Sequence, residues 1–325
     1  MTVLVTGGAG YIGSHAVLAL LDAGETPVVI DDLSAGRREA VPHGVPFYRG
    51  DAGDAAFVEA ILSMHGVSDV MHFAGSIIVP DSVSDPLGYY GNNTVKAHSL
   101  LAACMATGVR RFVFSSTAAV YGTPEESPVK EDAPVRPESP YGWSKAMTER
   151  MLRDSAAAYG LSFAALRYFN VAGADPAGRA GQSSPRATHL VKVACQAASG
   201  IRDGIDVYGT DYPTRDGTAL RDYVHVSDLA QAHLLALGRL RDRPEPLVLN
   251  LGSGQGFTVL EVIEAVRRVS GAAFRVSTAG RRPGDPAALV ADSSKARDLL
   301  GWKPRHGDMD TIVSTALAWE RASVR

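Results

Sequence analysis

Cysteine is scarce in this sequence: Cys104 and Cys195 are the only two in 325 residues, and neither has a CxxC or Cys/His spacing around it. That excludes a disulfide scaffold and argues against a thiolate metal site, so two buried, reduced thiols and no metal are expected. Such usage fits a reducing cytoplasm. No apolar run reaches the ~18 to 20 residues that span a bilayer. The first residues lack a basic stretch and enter a strand-like run at once, so neither export nor membrane anchoring is expected. A positive field is missing too, since the formal net charge is −3, which gives nucleic acid or an acidic membrane surface nothing to bind as partners. No short-period repeat or low-complexity tract is present. What remains is the composition of an ordinary enzyme, 46% hydrophobic and 21% charged. The length supports one long domain or two joined ones. An anionic ligand would have to be held by local arginines and helix N-termini.

The first half of the chain alternates β-branched runs with helical periodicity. Thr2-Val3-Leu4-Val5-Thr6 stops at Gly7-Gly8, as a buried parallel strand does. Apolar residues then recur at helical spacing from Ile12 to Ala23, with Gly24 as the stop. Pro27–Ile30 is a second strand ending on Asp31-Asp32. Strand, glycine turn, helix and strand make a βαβ unit with a right-handed crossover. The alternation continues through a strand at Val45–Tyr48, a helix through Phe57 and Met64 and a strand at Asp69–Phe73. One long helix over Tyr89–Thr107, a strand at Arg111–Phe114, a helix from Tyr141 to Gly160 and a strand at Ser162–Tyr168 follow. The fold class so specified is α/β, a doubly wound parallel Rossmann sheet. Beyond Val171 the pattern changes. Ala172–Pro185 reads as a long loop, and helices near His189–Ser199, Ser227–Leu240, Thr258–Val269 and Ser293–Leu300 mix with short strands. Residues 1–171 are therefore expected to form the dinucleotide-binding domain. Residues 172–325 are expected to form a smaller, irregular α/β substrate domain, with some segments, such as Val248–Asn250, returning to the first.

Gly8-Ala9-Gly10-Tyr11-Ile12-Gly13 matches GxGxxG at the required place, leaving a strand and opening a helix, and Gly7 adds a second spacing. Glycines let the backbone approach a pyrophosphate, and the helix N-terminus offers free N–H groups and a positive dipole end. Asp31, at the end of the second strand, can accept both ribose hydroxyls of the adenosine and would repel a 2′-phosphate, which favours NAD over NADP. Asp51, in Gly50-Asp51-Ala52, either sits beside the adenine or caps the following helix. Tyr141 and Lys145 stand four apart at a helix start and project from one face. A lysine ammonium near a tyrosine favours the phenolate and would lower its pKa, making a base for a hydroxyl proton while hydride leaves for the nicotinamide. Thr117, in Ser115-Ser116-Thr117, would hydrogen-bond the reacting oxygen.

These motifs, with Thr117-Ala118-Ala119-Val120-Tyr121-Gly122, Arg167-Tyr168-Phe169-Asn170, Gly209–Thr214, Arg221–Val226 and Arg281-Arg282-Pro283-Gly284-Asp285, run in order along the chain. In this the sequence resembles the UDP-glucose 4-epimerase family of extended short-chain dehydrogenases/reductases. The resemblance implies a tightly held NAD, reduced and reoxidised within each turnover, and a UDP-sugar that loses its C4 hydrogen, becomes a 4-keto sugar, rotates and is reduced on the other face. It implies Thr117, Tyr141 and Lys145 as the catalytic residues. To the cofactor it gives Gly7, Gly10, Tyr11, Ile12, Gly13, Asp31, Asp51, Ala52, Phe73, Ala74, Asn93, Ser115 and Tyr168, besides Tyr141 and Lys145. To the substrate it gives Thr117, Asn170, His189, Leu190, Tyr208 near the uracil, Arg221 and Arg282 at the nucleotide, and Asp285 at its ribose. A residue shortly after the Arg-Pro-Gly-Asp segment, here Leu289, would limit the group tolerated on the sugar. A homodimer built on the stretches Asn93–Thr107 and Ser144–Tyr159 is also implied.

The chain departs from the family's pattern in two places. Phe73-Ala74-Gly75 continues Ser76-Ile77-Ile78 where a lysine often approaches the cofactor phosphates, and Thr188-His189-Leu190 stands where an asparagine pair is usual. His189 either contacts the diphosphate or caps a helix. Nucleotide-sugar 4,6-dehydratases need an acid pair after the threonine, and Ala118-Ala119 supplies none. The expected reaction is therefore C4 epimerisation of UDP-glucose and UDP-galactose. The alternatives are the same reaction on UDP-N-acetylhexosamines or UDP-pentoses, a net nucleotide-sugar oxidoreductase, and a non-catalytic NAD sensor.

Overall fold

The structure is a computed structural model that describes residues 1–184, 188–282 and 285–323. In chain order the early elements are β1 (Thr2–Thr6), α1 (Tyr11–Asp22), β2 (Thr26–Asp31), β3 (Phe47–Arg49), α2 (Ala55–His65) and β4 (Asp69–His72). Then come α3 (Val79–Ser84), α4 (Pro86–Tyr89), a π-helical turn (Tyr90–Val95), α5 (Lys96–Thr107), β5 (Arg111–Thr117), α6 (Pro140–Tyr159) and β6 (Ser162–Tyr168). The later elements are β7 (Asn170–Ala172), α7 (Leu190–Ala198), β8 (Gly204–Tyr208), β9 (Leu220–His225), α8 (Val226–Asp242) and β10 (Leu247–Leu251). Last are β11 (Gly256–Thr258), α9 (Val259–Ser270), β12 (Arg275–Ala279), β13 (Ala288–Leu289), α10 (Ser294–Leu300) and α11 (Met309–Ser323).

The chain divides into two compact units. The first comprises Met1–Gly122, Val135–Arg167 and Ala230–Leu249, and the second Thr123–Pro134, Tyr168–Leu229 and Asn250–Arg325. A boundary expected after residue 171 thus falls after Arg167, inside β6, and the chain crosses between units five times.

The first unit holds a seven-stranded sheet in the order β10-β6-β5-β4-β1-β2-β3, with parallel pairing from β3 through β5. The strand order reverses between β1 and β4, the switch point outside whose carboxyl ends ligands bind in open α/β sheets. The strands read as unbroken apolar runs because helices cover them. Leu4, Ile30, Val70, Phe112 and Phe163 pack with Val58, Ile61 and Leu62 of α2, Leu100 and Leu101 of α5 and Leu152 of α6. Each such side chain contributes roughly 1.5–3 kcal/mol when fully buried. The single helix expected over Tyr89–Thr107 is instead α4, a π-helical turn and α5. A π turn leaves no mark on apolar periodicity over so short a stretch, and such bulges gather at functional sites.

In the second unit β9 is the organising strand. It pairs antiparallel with β11 and parallel with β13 and β7, while β8 and β12 form a separate parallel pair. The buried Asp222 carboxylate accepts the N–H groups of Ser253 (2.7 Å), Gly254 (3.0 Å) and Ala291 (3.1 Å), which fixes the segments flanking β9. Val191 and Cys195 of α7, Ile263 and Val266 of α9 and Ile312, Val313 and Leu317 of α11 form its core. The expected loop Ala172–Pro185 begins inside β7. Pro185, like Pro283 and Gly284 of the Arg281–Asp285 motif, lies outside the described residues.

Candidate active site

The glycine turn between β1 and α1 is shaped for a ligand backbone. Gly7 has φ 72°, and a Cβ there would stand 2.6 Å from the Ala74 nitrogen. A Cβ on Gly13 would stand 2.1 Å from the Gly7 carbonyl oxygen. Gly10 caps α1 in extended conformation with no side-chain bond to the helix end, so Tyr11 and Ile12 open a helix whose N-terminus is left for an anion. Asp31 ties this turn to β2, its carboxylate accepting N–H groups of Ala9 (2.9 Å) and Leu33 (2.8 Å). Burial pushes its pKa up, and those two backbone bonds oppose the shift. The donor set, glycine cradle and carboxylate at the strand end fit a dinucleotide.

Asp51 is not the cap of α2. Asp54 is, accepting the Phe57 N–H at 3.2 Å. Asp51 pairs instead with Lys96 at 2.8 Å and accepts the Gly53 N–H, beside a buried Ala52. Phe73 and Ala74 continue from β4, with the Phe73 N–H donating to the Thr6 carbonyl at 3.0 Å. The Asn93 amide, delivered by the π-helical turn, accepts the Ser76 N–H (2.7 Å) and donates to the Ser76 carbonyl and the Ser144 hydroxyl, both at 3.0 Å. All its bonds named here go to protein, so Asn93 holds the segment after Gly75 against α6.

The catalytic candidates meet within the first unit. Ser139 caps α6 by accepting the Gly142 N–H at 3.1 Å, and Pro140 occupies the first turn. This starts the helix so that Tyr141 and Lys145 share one buried face. Thr117 ends β5, its hydroxyl accepting the Ala119 N–H at 3.1 Å and hydrogen-bonding the Tyr141 hydroxyl. The Lys145 ammonium donates to the Ser115 carbonyl at 2.9 Å and lies 5.0 Å over the Phe114 ring. Burial lowers Lys145 to about 8 and raises Tyr141 to about 12, the Thr117 bond opposing the latter. The expected lowering of Tyr141 by Lys145 is not seen: desolvation of the buried phenol raises it, Tyr89 adds to the rise, and only the Thr117 bond opposes it.

The second unit carries the polar groups expected at a nucleotide. Arg221 forms an ion pair with Asp285 and donates to the Leu220 carbonyl at 2.8 Å. Arg282 stacks 3.8 Å over the Tyr208 ring. The Asn170 amide donates to the Asp222 carbonyl at 3.1 Å, in register with β9, and Tyr168, two residues earlier, ends β6. Leu289 stands opposite Arg221 in the β13–β9 register and is half-buried. His189 precedes α7 but its side chain does not cap the helix. Its Nδ1 is 2.7 Å from the Gln182 amide, and burial lowers its pKa. Leu190 opens α7.

Sequence reasoning missed the polar network behind the catalytic face. Arg167 clamps Glu149 through Nε (2.9 Å) and Nη2 (2.6 Å) and donates to the Tyr121 hydroxyl at 2.9 Å, and Ser116 donates to Glu149 at 2.6 Å. Two signals could have found it: a charged residue inside the apolar strand Ser162–Tyr168, and Glu149 four residues beyond Lys145. Among the described residues no cluster of His, Cys, Asp or Glu could hold a metal ion, and no helix is long and apolar enough to cross a membrane.

Residues 3–252 match the NAD dependent epimerase/dehydratase family. The chain is 58% identical over 320 residues to a UDP-glucose 4-epimerase of Azospirillum brasilense, covering 98% of this chain and 92% of that one. Its fold superposes on the UDP-glucose 4-epimerase of Brucella ovis in complex with NAD, with a TM-score of 0.95, 44% identity and coverage of 98% and 97%. The UDP-Glc/GlcNAc 4-epimerase of Campylobacter jejuni gives a TM-score of 0.87, 44% identity and coverage of 99% of each chain.

Proposed function

The chain belongs to the NAD dependent epimerase/dehydratase family, and from that premise we propose that it interconverts UDP-glucose and UDP-galactose at C4 through a transient 4-keto sugar. The observation that carries the reading is the pairing of Thr117 with Tyr141 on a helix that also buries Lys145, followed by Ala118 and Ala119. Those groups can move one proton at one hydroxyl, and the two alanines offer no acid or base for a second carbon.

The Tyr141 oxygen takes the C4 hydroxyl proton while the Thr117 hydroxyl holds that oxygen, and the same proton is handed back when the keto sugar is reduced. NAD held there would supply a reversible hydride acceptor for C4, so no net oxidation would result. The Gly7–Gly13 turn and Asp31 hold the dinucleotide, and Lys145 serves its ribose. Arg221, Arg282 and Asp285 hold the UDP moiety, as guanidinium groups suit a diphosphate. Proton NMR of purified protein with UDP-galactose and no added cofactor tests the reading. UDP-glucose should appear, and its absence would sink the proposal.

A second reading extends the first. Leu289 is smaller than an aromatic, and the chain is similar to an enzyme named for both UDP-Glc and UDP-GlcNAc, so turnover of the N-acetylated pair is proposed beside the preferred hexoses. A cytoplasmic homodimer is proposed as well. The Thr94 hydroxyl donates to the Ser144 carbonyl at 3.5 Å, setting the π-helical turn that leads into α5 beside α6, and Val95, Trp143 and Met147 lie exposed. Apolar side chains so placed suit helix pairing with a second copy.

A further inference from the structure

Three consecutive residues at the end of β5 each hold a different side chain of α6. The Ser115 carbonyl takes the Lys145 ammonium at 2.9 Å, the Ser116 hydroxyl donates to Glu149 at 2.6 Å, and Thr117 bonds Tyr141. Tyr141, Lys145 and Glu149 are spaced by four, so they lie along one helical face. Two of these contacts belong to the reaction as read above. The third does not touch a reacting group, yet it is the most elaborately built. Glu149 is 4% exposed, Arg167 is 2% and Ser116 is 0%. Arg167, reaching across from β6, grips both carboxylate oxygens, while its remaining nitrogen is spent on Tyr121, over whose ring the guanidinium lies at 4.9 Å.

A buried ion pair is poor evidence for stability, because well-packed apolar residues of similar volume often serve as well. What an apolar pair cannot do is present an acceptor in a fixed direction to the Ser116 hydroxyl. A bidentate fork fixes both distance and angle, and a misplacement of about 1 Å in a catalytic arrangement can cost on the order of a hundredfold.

We propose that Glu149 and Arg167 are positioning residues for proton transfer: through Ser116 they lock the end of β5 to α6, and so set the Thr117–Tyr141 bond and the Lys145 seat. The claim rests on the C4-epimerase reading for its kinetic consequence. Besides Thr117, the ionisable group that bears on Tyr141 is Tyr89 from α4, while Lys145 shares its buried helical face.

The test uses full-length protein carrying its cofactor. Ser116→Ala removes only the hydroxyl and leaves the ion pair, so the chain should fold with a melting temperature near that of the wild type. Turnover should fall about tenfold with KM within about twofold, and the acid limb of the kcat–pH profile should move to higher pH as the phenolate loses support from Thr117. The double variant Glu149→Leu with Arg167→Met should fold but keep the low kcat. Carbon-13 NMR of labelled tyrosine rings, with Tyr141→Phe to assign the signal, reads the Tyr141 titration without any turnover. It should move to higher pH in Ser116→Ala. Wild-type kcat and an unmoved Tyr141 titration in Ser116→Ala would overturn the proposal. A wild type that fails to convert UDP-galactose would instead overturn the functional reading, and the Tyr141 titration would still decide the positioning claim.

Discussion

At the scale of single residues, the chemistry rests on groups whose burial changes what they are. Tyr141→Phe deletes a proton acceptor and almost no volume, so turnover should fall by ~10² to 10⁴-fold while UDP-sugar binding survives. Calorimetric binding alongside the NMR assay checks both halves, and a variant retaining a tenth of wild-type turnover would exclude Tyr141 as the base. Lys145, lowered by burial to about 8, loses its ammonium charge as pH rises through that value. With Tyr141, raised to about 12, as the base, turnover should climb with pH and level off above about pH 8. There loss of the ammonium offsets the growing phenolate fraction, and Lys145→Met should be slow at every pH with that break gone. Leu289→Tyr should abolish turnover of UDP-N-acetylglucosamine and spare UDP-galactose, since one altered pocket contact is worth ~1 to 3 kcal/mol and acts against the bulkier group alone. A wild type inactive on the N-acetylated pair at saturating substrate would show that Leu289 is not the gate.

At the scale of elements, β4 carries a titration that should be visible in the stability of the first unit. His72 is buried, its Nδ1 2.6 Å from the Thr6 hydroxyl and its ring stacked on Phe114, and desolvation lowers it to about 3, with the Lys145 charge adding to the shift. Because the folded pKa lies below the unfolded value near 6.5, the unfolded chain binds the extra proton between those values. Stability is therefore full above about pH 6.5 and is lost as pH falls toward about 3. Denaturant midpoints across that range should show the loss, and His72→Gln should flatten it. Elements whose signal is local were legible in the sequence. β1 matches Thr2–Thr6 residue for residue, β6 matches Ser162–Tyr168, and Tyr141–Gly160 anticipated α6 to within a residue of its start. The π-helical turn was not legible, since one extra residue in a turn is set by packing and not by periodicity. Helix α11 was legible and overlooked, because Ile312, Val313, Ala316 and Leu317 recur at helical spacing. The triad could be read as residue types, but the direction of the Tyr141 shift could not, because desolvation depends on neighbours remote in sequence.

At the scale of the whole molecule, the composition and the glycine turn predict a protein that is purified with NAD bound. Mass analysis of heat-released small molecules should find NAD; recovery of NADP would count against the Asp31 reading. A ligand that binds only the folded chain stabilises it by mass action, so removing NAD should lower the melting temperature. Light scattering at micromolar concentration should give a dimer mass, and a monomer would end the proposal built on Val95, Trp143 and Met147. The five crossings between units bear on how the protein is made. β6 is complete at Tyr168, but its neighbour β10 does not leave the ribosome until about eighty residues later. At roughly 5–20 residues per second the nascent sheet waits several seconds with one edge open, and open edges are templates for wrong pairing. Slowed translation between Tyr168 and Leu247 should therefore lower soluble yield more than the same delay placed after Leu251, and neither unit can be expressed by cutting the gene at one point.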